Sequence, residues 1–315
     1  MTRAQALKKS VLICGSAAYD SILLFPDRFK AHILPDKIHM LNVSFLVPEM
    51  RREFGGCATN IAYNLKLLGE VGYPMATVGH DFGPYRESLL AKGVPADYVK
   101  VIDSEFTAQA FITTDLDDNQ ITAFHPGAMQ YSHLNRVADA AGIGLGVVAP
   151  DGRQAMIEHA EQFAAAGIPF IFDPGQGLPM FDGEDLRRFI EQATWVAVND
   201  YEWQVLQQKT GWSVREVTSR VKALVVTKGA EGAVIYTAQD SFEIASAKPN
   251  AVVDPTGCGD AFRAGLIHGI LRGDDWQTAG RLGSLMGAIK IESRGPQNHR
   301  FTREQFEQRF RDNFR

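Results

Sequence analysis

The chain has 315 residues, 45% hydrophobic and 22% charged, with a formal net charge of −5 spread over both signs. That length accommodates one large α/β domain with a sizeable core, and the dispersed charge excludes the broad basic face that nucleic-acid binding requires. No run is apolar enough for a membrane helix, residues 1–9 lack the apolar stretch and cleavage site of a secretory signal, and the cysteines at 14, 57 and 258 form neither a disulfide framework nor a metal-ligand spacing. The expected setting is the cytoplasm, with a small-molecule ligand and neither nucleic acid nor membrane as partner.

Residues 10–14 read as a short buried strand that enters the small-residue turn Gly15-Ser-Ala-Ala-Tyr-Asp20. A first strand that delivers an acid into a cleft is common in open α/β sheets, and a solvated turn residue is the other reading of Asp20. Alternating stretches at 39–47, 108–114 and 120–124, the last two flanking the turn Asp115-Leu-Asp-Asp-Asn119, predict strands of a small outlying sheet or extra edge strands of a main one. Arg52-Glu-Phe-Gly-Gly-Cys-Ala-Thr-Asn60 leads into a helix over 61–68. Gly55 and Gly56 there either admit close approach of a ligand or form a plain helix-entry turn.

From residue 73 onward, apolar runs alternate with helical patterns: 75–78 then 84–92, 146–149 then 153–166, 169–172 then 183–193. This alternation predicts a parallel sheet covered by helices on both faces. Gly142-Ile-Gly-Leu-Gly146 has the wrong spacing for a dinucleotide fingerprint and precedes a strand instead of following one. Asp173 ends a strand at the edge where α/β ligands bind, and either approaches phosphate and magnesium or forms the turn. Asn199 and Glu202 share a face at a helix start, where they suit either the water shell of Mg²⁺ or a helix cap. Residues 223–236 read as two strands around a glycine turn bearing Lys228, residues 276–292 as a helix, and residues 302–315 as a final amphipathic helix.

In Asp254-Pro-Thr-Gly-Cys-Gly-Asp-Ala-Phe-Arg-Ala-Gly265, a glycine-rich turn opens a helix over 260–271. Such a turn aims unpaired N–H groups and the positive end of the helix dipole at one spot, which suits a phosphoryl group. Asp260 is then placed to take a proton from an attacking alcohol, or simply to cap the helix.

This segment resembles the C-terminal signature of the ribokinase-like (PfkB) family of sugar and nucleoside kinases, with Asp254, Thr256, Gly257, Gly259, Asp260 and Gly265 at the family's spacing. Residues 52–60 resemble its N-terminal signature, and the likeness extends over about 11–298. The resemblance implies a three-layer α/β/α fold with a mainly parallel central sheet, and a single domain over 1–315. It adds a small β lid from about 21–50 and 107–126, whose exposed edges can pair two chains into a homodimer. It implies Asp260 as catalytic base, Gly257, Cys258 and Gly259 as anion hole, and Asp20, Gly55, Gly56 and Asn60 as the substrate site, with Asp20 holding two sugar hydroxyls. Asn199 and Glu202 would act on Mg²⁺ through water, Thr227, Gly229 and Gly232 on the nucleotide, and Asn298 on adenine. In many members the loop 293–299 borders a monovalent cation site, such as one for K⁺.

Two residues depart from the common pattern. Cys258 stands where the family more often has Ala, and a thiol at a helix N-terminus is expected to have a lowered pKa and to be oxidant-sensitive. Arg263, one helical turn beyond Asp260, either faces the phosphates or goes to solvent or a structural carboxylate. Both residues, with Phe124-His-Pro-Gly-Ala-Met129, are similar to bacterial adenosine and nucleoside kinases of the family. The implied activity is ATP- and Mg²⁺-dependent phosphorylation of a nucleoside 5′-hydroxyl in purine salvage, with adenosine leading. A kinase for free ribose or fructose is the alternative, and a catalytically silent nucleoside or ATP sensor a second one.

Overall fold

The computed structural model describes residues 10–33, 42–117 and 119–314. The first strand, β1 (Ser10–Cys14), is apolar from Val11 onward because both its faces are covered. Val11 and Ile13 point into one core, while Leu12 and Cys14 point into another. The further strands are β2 (Ala18–Leu24), β3 (Glu49–Gly55), β4 (Gly72–Gly79), β5 (Tyr98–Ile102), β6 (Ala108–Thr114), β7 (Gln120–His125), β8 (Ile143–Val148), β9 (Phe170–Phe172), β10 (Trp195–Asn199), β11 (Ala223–Thr227), β12 (Ala233–Tyr236) and β13 (Ser241–Ile244). They form a large sheet in the order β13-β12-β11-β10-β9-β8-β1-β4-β5 and a small one in the order β3-β2-β6-β7. The large sheet is parallel from β5 to β11 and antiparallel only at β12 and β13.

The helices are α1 (Phe29–His32), α2 (Cys57–Leu67), α3 (Gly83–Ala91), α4 (Arg153–Ala165), α5 (Gly183–Gln192), α6 (Asp200–Thr210), α7 (Val214–Thr218), α8 (Cys258–Arg272), α9 (Trp276–Lys290) and α10 (Arg303–Asn313). Ile61 and Leu65 of α2, Tyr85 of α3, Leu266 of α8 and Ala279 of α9 bury against one face of the large sheet. Phe163 of α4, Phe189 of α5, Leu206 of α6 and Val217 of α7 bury against the other. The result is the expected three-layer α/β/α arrangement beside a smaller sheet.

The small sheet corrects part of the sequence reading. Strands β6 and β7 form the expected hairpin. For the expected strand at 39–47, residues 39–41 lie outside the described residues, and 42–47 form no strand. The sheet is instead built on β2 and β3, paired over their full lengths. Strand β2 lies inside this sheet and buries Ala18, Tyr19 and Ser21 in succession with interruptions, so clean alternation never marks it.

Candidate active site

The carboxyl ends of β1, β9, β10 and β11 lie at one edge of the parallel sheet, the edge where α/β sheets bind ligands in a cleft, and α8 starts there, tied to the end of β9 by Arg263 and Asp173. Helix α8 opens at Gly257, whose φ is +81° and where an added Cβ would stand 2.7 Å from Pro296. A side chain there would be both strained and crowded. The first bond of α8 runs from the Ala261 N–H to the Gly257 carbonyl (3.0 Å), and the Cys258 N–H is donated to the Pro255 carbonyl (3.1 Å). Helix geometry leaves the N–H groups of Gly259 and Asp260 without an intrahelical acceptor. Of the expected anion hole, these two N–H groups point along the axis, whereas the Cys258 N–H is already engaged.

Asp260 accepts a hydrogen bond from Asn60 Nδ2 at 2.9 Å. It is reachable from the cleft but packed on most sides. Burial pushes its carboxyl up to about 7, reinforced by the charges of Asp173 and Asp20 and opposed by Asn60 and Arg263. A carboxyl that titrates near neutrality is matched to accepting a proton from an alcohol. The Asn60 oxygen accepts from Gln297 Nε2 (2.9 Å), which also reaches the Tyr85 hydroxyl (2.6 Å). The Tyr85 hydroxyl lies 2.8 Å from the Gly55 carbonyl and 2.7 Å from Thr59 Oγ1. Gln297, Tyr85 and Thr59 therefore fix the substrate turn. Nothing in the sequence marked them, since each is an ordinary residue type in an ordinary local pattern.

Asp20 belongs to β2, not to the turn that leaves β1. It lies opposite Glu53 of β3 and Ala110 of β6, and Ala110 lies opposite Phe124 of β7, so these four share a face of the small sheet. A Cβ on Gly55 would stand 2.6 Å from Asp20 Oδ2, so the carboxylate lies directly over that glycine. At Gly56 φ is +98°, and a Cβ would stand 2.5 Å from the Ser16 carbonyl. Burial, then the charges of Glu53 and Asp254, push Asp20 up to about 6. Direct contacts thus bring together Asp20, Gly55, Gly56, Asn60 and Asp260.

On the other side, Asn199 caps α6. Its side chain accepts from the Glu202 N–H (2.7 Å), and Glu202 Oε2 accepts from the Asn199 N–H (2.8 Å). The capping reading holds, and of the pair's side-chain oxygens only Glu202 Oε1 takes no part in the cap. Burial and then the Asp173 charge raise the Glu202 pKa. Thr227 lies beside Asn199 in register, and Gly229 and Gly232 form the tight turn that follows, closed by a bond from the Lys228 N–H to the Gly232 carbonyl (2.8 Å). Arg263 and Asp173, both nearly inaccessible, form a bidentate pair at 3.0 and 3.1 Å. Arg263 therefore takes a structural carboxylate, and its Nη1 lies 3.6 Å from where a Cβ would stand on Gly259.

One expectation fails, that of a lowered Cys258 pKa. Asn298 is exposed and donates to Glu53 Oε2 (3.1 Å) and the Arg294 carbonyl (2.9 Å). Its loop is tied to α2 and α3 through Gln297 and to α2 through His299, whose carbonyl accepts from the Tyr63 hydroxyl (2.5 Å). The Cys258 thiol is pushed up to about 11, because burial outweighs the nearby Lys290 charge. It donates to the Gly287 carbonyl at 3.7 Å.

Among the described residues no group of three or more His, Cys, Asp or Glu side chains could hold a metal ion by itself. Asn199 and Glu202 fit the sparse protein contribution typical of Mg²⁺, which keeps waters and takes most other ligands from phosphates. The same loop that carries Gln297 is anchored by Lys290, a fully buried residue whose Nζ donates to the Asp254 carbonyl (2.7 Å) and the Ser293 carbonyl (3.1 Å).

The model of the pfkB family of carbohydrate kinases matches residues 17–302. A nucleoside kinase of Burkholderia thailandensis, solved in complex with inosine, has a TM-score of 0.88 and 54% identity, covering 96% of this chain and 98% of that one. The same kinase solved in complex with ADP-inosine gives a TM-score of 0.86 at 56% identity, over 96% of each chain. The nucleoside kinase of Methanothermobacter thermautotrophicus is 32% identical over 296 residues, 92% of each chain. No described helix is long and apolar enough to cross a membrane. The match along most of the length, the shared fold and the acid at a glycine-opened helix lead to one conclusion: the chain belongs to the pfkB family of carbohydrate kinases and is a phosphotransferase acting on a hydroxyl group.

Proposed function

We propose that the chain is an ATP-dependent nucleoside kinase that transfers the γ-phosphoryl group to the ribose 5′-hydroxyl, with adenosine the leading substrate and inosine within a broader range. The observation that carries this reading is the Asn60–Asp260 contact, which joins the turn beneath Asp20 to the start of α8. Ribose held by Asp20 would then present its 5′-hydroxyl to Asp260. Asp20, ionised at neutral pH, accepts from two ribose hydroxyls, a geometry a carboxylate satisfies. Asp260 accepts the 5′-proton, and the Gly259 and Asp260 N–H groups with the α8 dipole stabilise charge on the moving phosphoryl group.

One feature favours a nucleoside over a free sugar. Ile22, Ile112 and Phe124 share the small-sheet face with Asp20, and Phe124 is 52% exposed. An aromatic base would cover that surface, whereas a free sugar has no aromatic ring to place there. The small sheet would then act as a lid that excludes water from the transfer. Asn199, Glu202, Thr227, Gly229 and Gly232 would line the ATP side. Mg²⁺ would supply neutralisation of phosphate charge. The role fits purine salvage in the cytoplasm. All six residues of the edge strand β7 are exposed, Ile121 and Phe124 among them, which suits pairing of two chains through their lids.

The test is ATP consumption with Mg²⁺ against adenosine, inosine, guanosine, cytidine, ribose and fructose. Turnover on nucleosides, highest with adenosine, is the expected result. Turnover on sugars alone would overturn the substrate, and silence on all six would overturn the reaction.

A further inference from the structure

We infer that the Lys290 ammonium is the built-in monovalent cation of the loop behind the anion hole, so that turnover needs no potassium. The inference rests on the phosphotransferase assignment and concerns how the chain holds that site together.

Lys290 ends α9 with no exposed surface, yet no carboxylate oxygen is its hydrogen-bond partner. Its acceptors are main-chain carbonyls of two different segments, Asp254 and Ser293. Ser293 lies in the turn that closes α9 and Asp254 lies 36 residues away, so the ammonium ties the end of α9 to the segment that leads into α8. Main-chain carbonyl oxygens are the ligand type that replaces the hydration shell of potassium. Around the ammonium, the Val253 and Asp254 N–H groups donate to the Ile291 carbonyl (2.9 and 3.1 Å). The Asp254 carboxylate accepts from the Thr256 and Gly295 N–H groups, both at 2.9 Å. The segments clamped in this way carry the two parts of the site: 254–260 continues into Gly257 and Asp260, and 291–297 continues into Pro296, which packs on Gly257, and Gln297, which holds Asn60.

The titratable groups acting on the ammonium are Asp254, Cys258 and Glu53, which favour its charge, and Arg51, which opposes it. Burial is the largest influence and lowers its pKa. The resemblance to ribokinase-like kinases implies a monovalent cation at this loop in many members, and the residues here do not fit one. The positive charge already sits on the carbonyls, tethered covalently, and a potassium ion beside it would face like-charge repulsion.

The experiment compares wild type with Lys290→Ala in buffers of constant ionic strength containing tetramethylammonium, lithium or potassium. It reads both nucleoside turnover and the Tm of the protein without substrate. Wild type is expected to be unchanged by potassium in both readouts. Lys290→Ala should lose about 10–100-fold in kcat/KM without potassium, as supporting groups of ion sites typically do. It should then regain turnover and Tm with potassium but not with lithium. Folding of the variant only in potassium would equally support the inference. Stimulation of wild type by potassium would overturn it, as would a variant whose loss is indifferent to the cation. If the variant folds in no salt, the wild-type comparison decides alone. Failure on every nucleoside would count against the proposed substrate, and the Tm comparison would still decide the cation question.

Discussion

The substitution Asp260→Asn is expected to abolish most activity while making the protein more stable, and to do so in a pH-dependent way. Asp260 titrates at about 7 in the fold against 3.8 in the absence of its surroundings. Between those values the unfolded chain is ionised while the native chain keeps its proton, so unfolding releases a proton and stability falls as pH rises. The loss is complete above about 7. A gap of about three pH units corresponds to up to about 4 kcal/mol, less whatever solvent reaching the carboxyl through the open cleft screens. Asn carries no charge, escapes this cost, and keeps an oxygen to accept from Asn60.

The advantage of the variant over wild type should therefore grow by about 2 kcal/mol from pH 5.5 to pH 8.5, equivalent to roughly 3 °C in Tm for a chain of this size. Urea unfolding of both proteins without ligand at the two pH values measures this directly. In parallel, kcat should drop by roughly 10²-fold or more, with smaller change in ATP affinity. A variant less stable than wild type at pH 8.5, or an advantage that does not change with pH, would refute the assignment of Asp260 as a carboxyl forced to ionise at a desolvated site.

The same titrations predict that wild-type kcat/KM rises with pH between 6 and 7 as Asp20 and Asp260 ionise, then levels; a flat profile from pH 5.5 to 8 would contradict both roles. Asp173→Ala leaves the Arg263 guanidinium buried without its partner and should cost about 3–5 kcal/mol in chemical denaturation. The pair Asp173→Leu with Arg263→Met should recover most of that, and equal losses in the single and double variants would show that the ion pair is not the cause. Burial raises the pKa of all three thiols, Cys258 to about 11. Native protein should therefore alkylate far more slowly at pH 8 than the denatured chain, and Cys258→Ala should inactivate in peroxide no more slowly than wild type.

What could be read from the sequence follows from where each interaction lies along the chain. The parallel strands announced themselves as apolar runs because both faces are covered, and the turn before α8 did so through Gly257, whose conformation excludes other residues. Asn199 and Glu202 were recognisable because a capping box is local, three residues apart. By contrast, the partner that Arg263 chose lies 90 residues away, and no local pattern distinguishes Asp173 from a turn acid. Cys258 misled because the helix terminus is visible in sequence whereas the packing that desolvates the thiol is not. Lys290 ends a helix in the usual place for a cation, which conceals that its ammonium also serves another segment. Strands β2 and β3 were missed because residues of the small sheet meet α3 on one side and the open cleft on the other, which blurs the two-residue period.

The Asn60 side chain is held by Asp260, 200 residues later, and by Gln297, 237 residues later. A chain grows at about 5–20 residues per second during synthesis, so Asn60 emerges on the order of 10–50 s before its second partner exists. Until then Asn60 has neither the acid nor the amide that fixes it, and the substrate site proposed above is incomplete. The substrate site is thus among the last features to form, although half of it is translated within the first 60 residues.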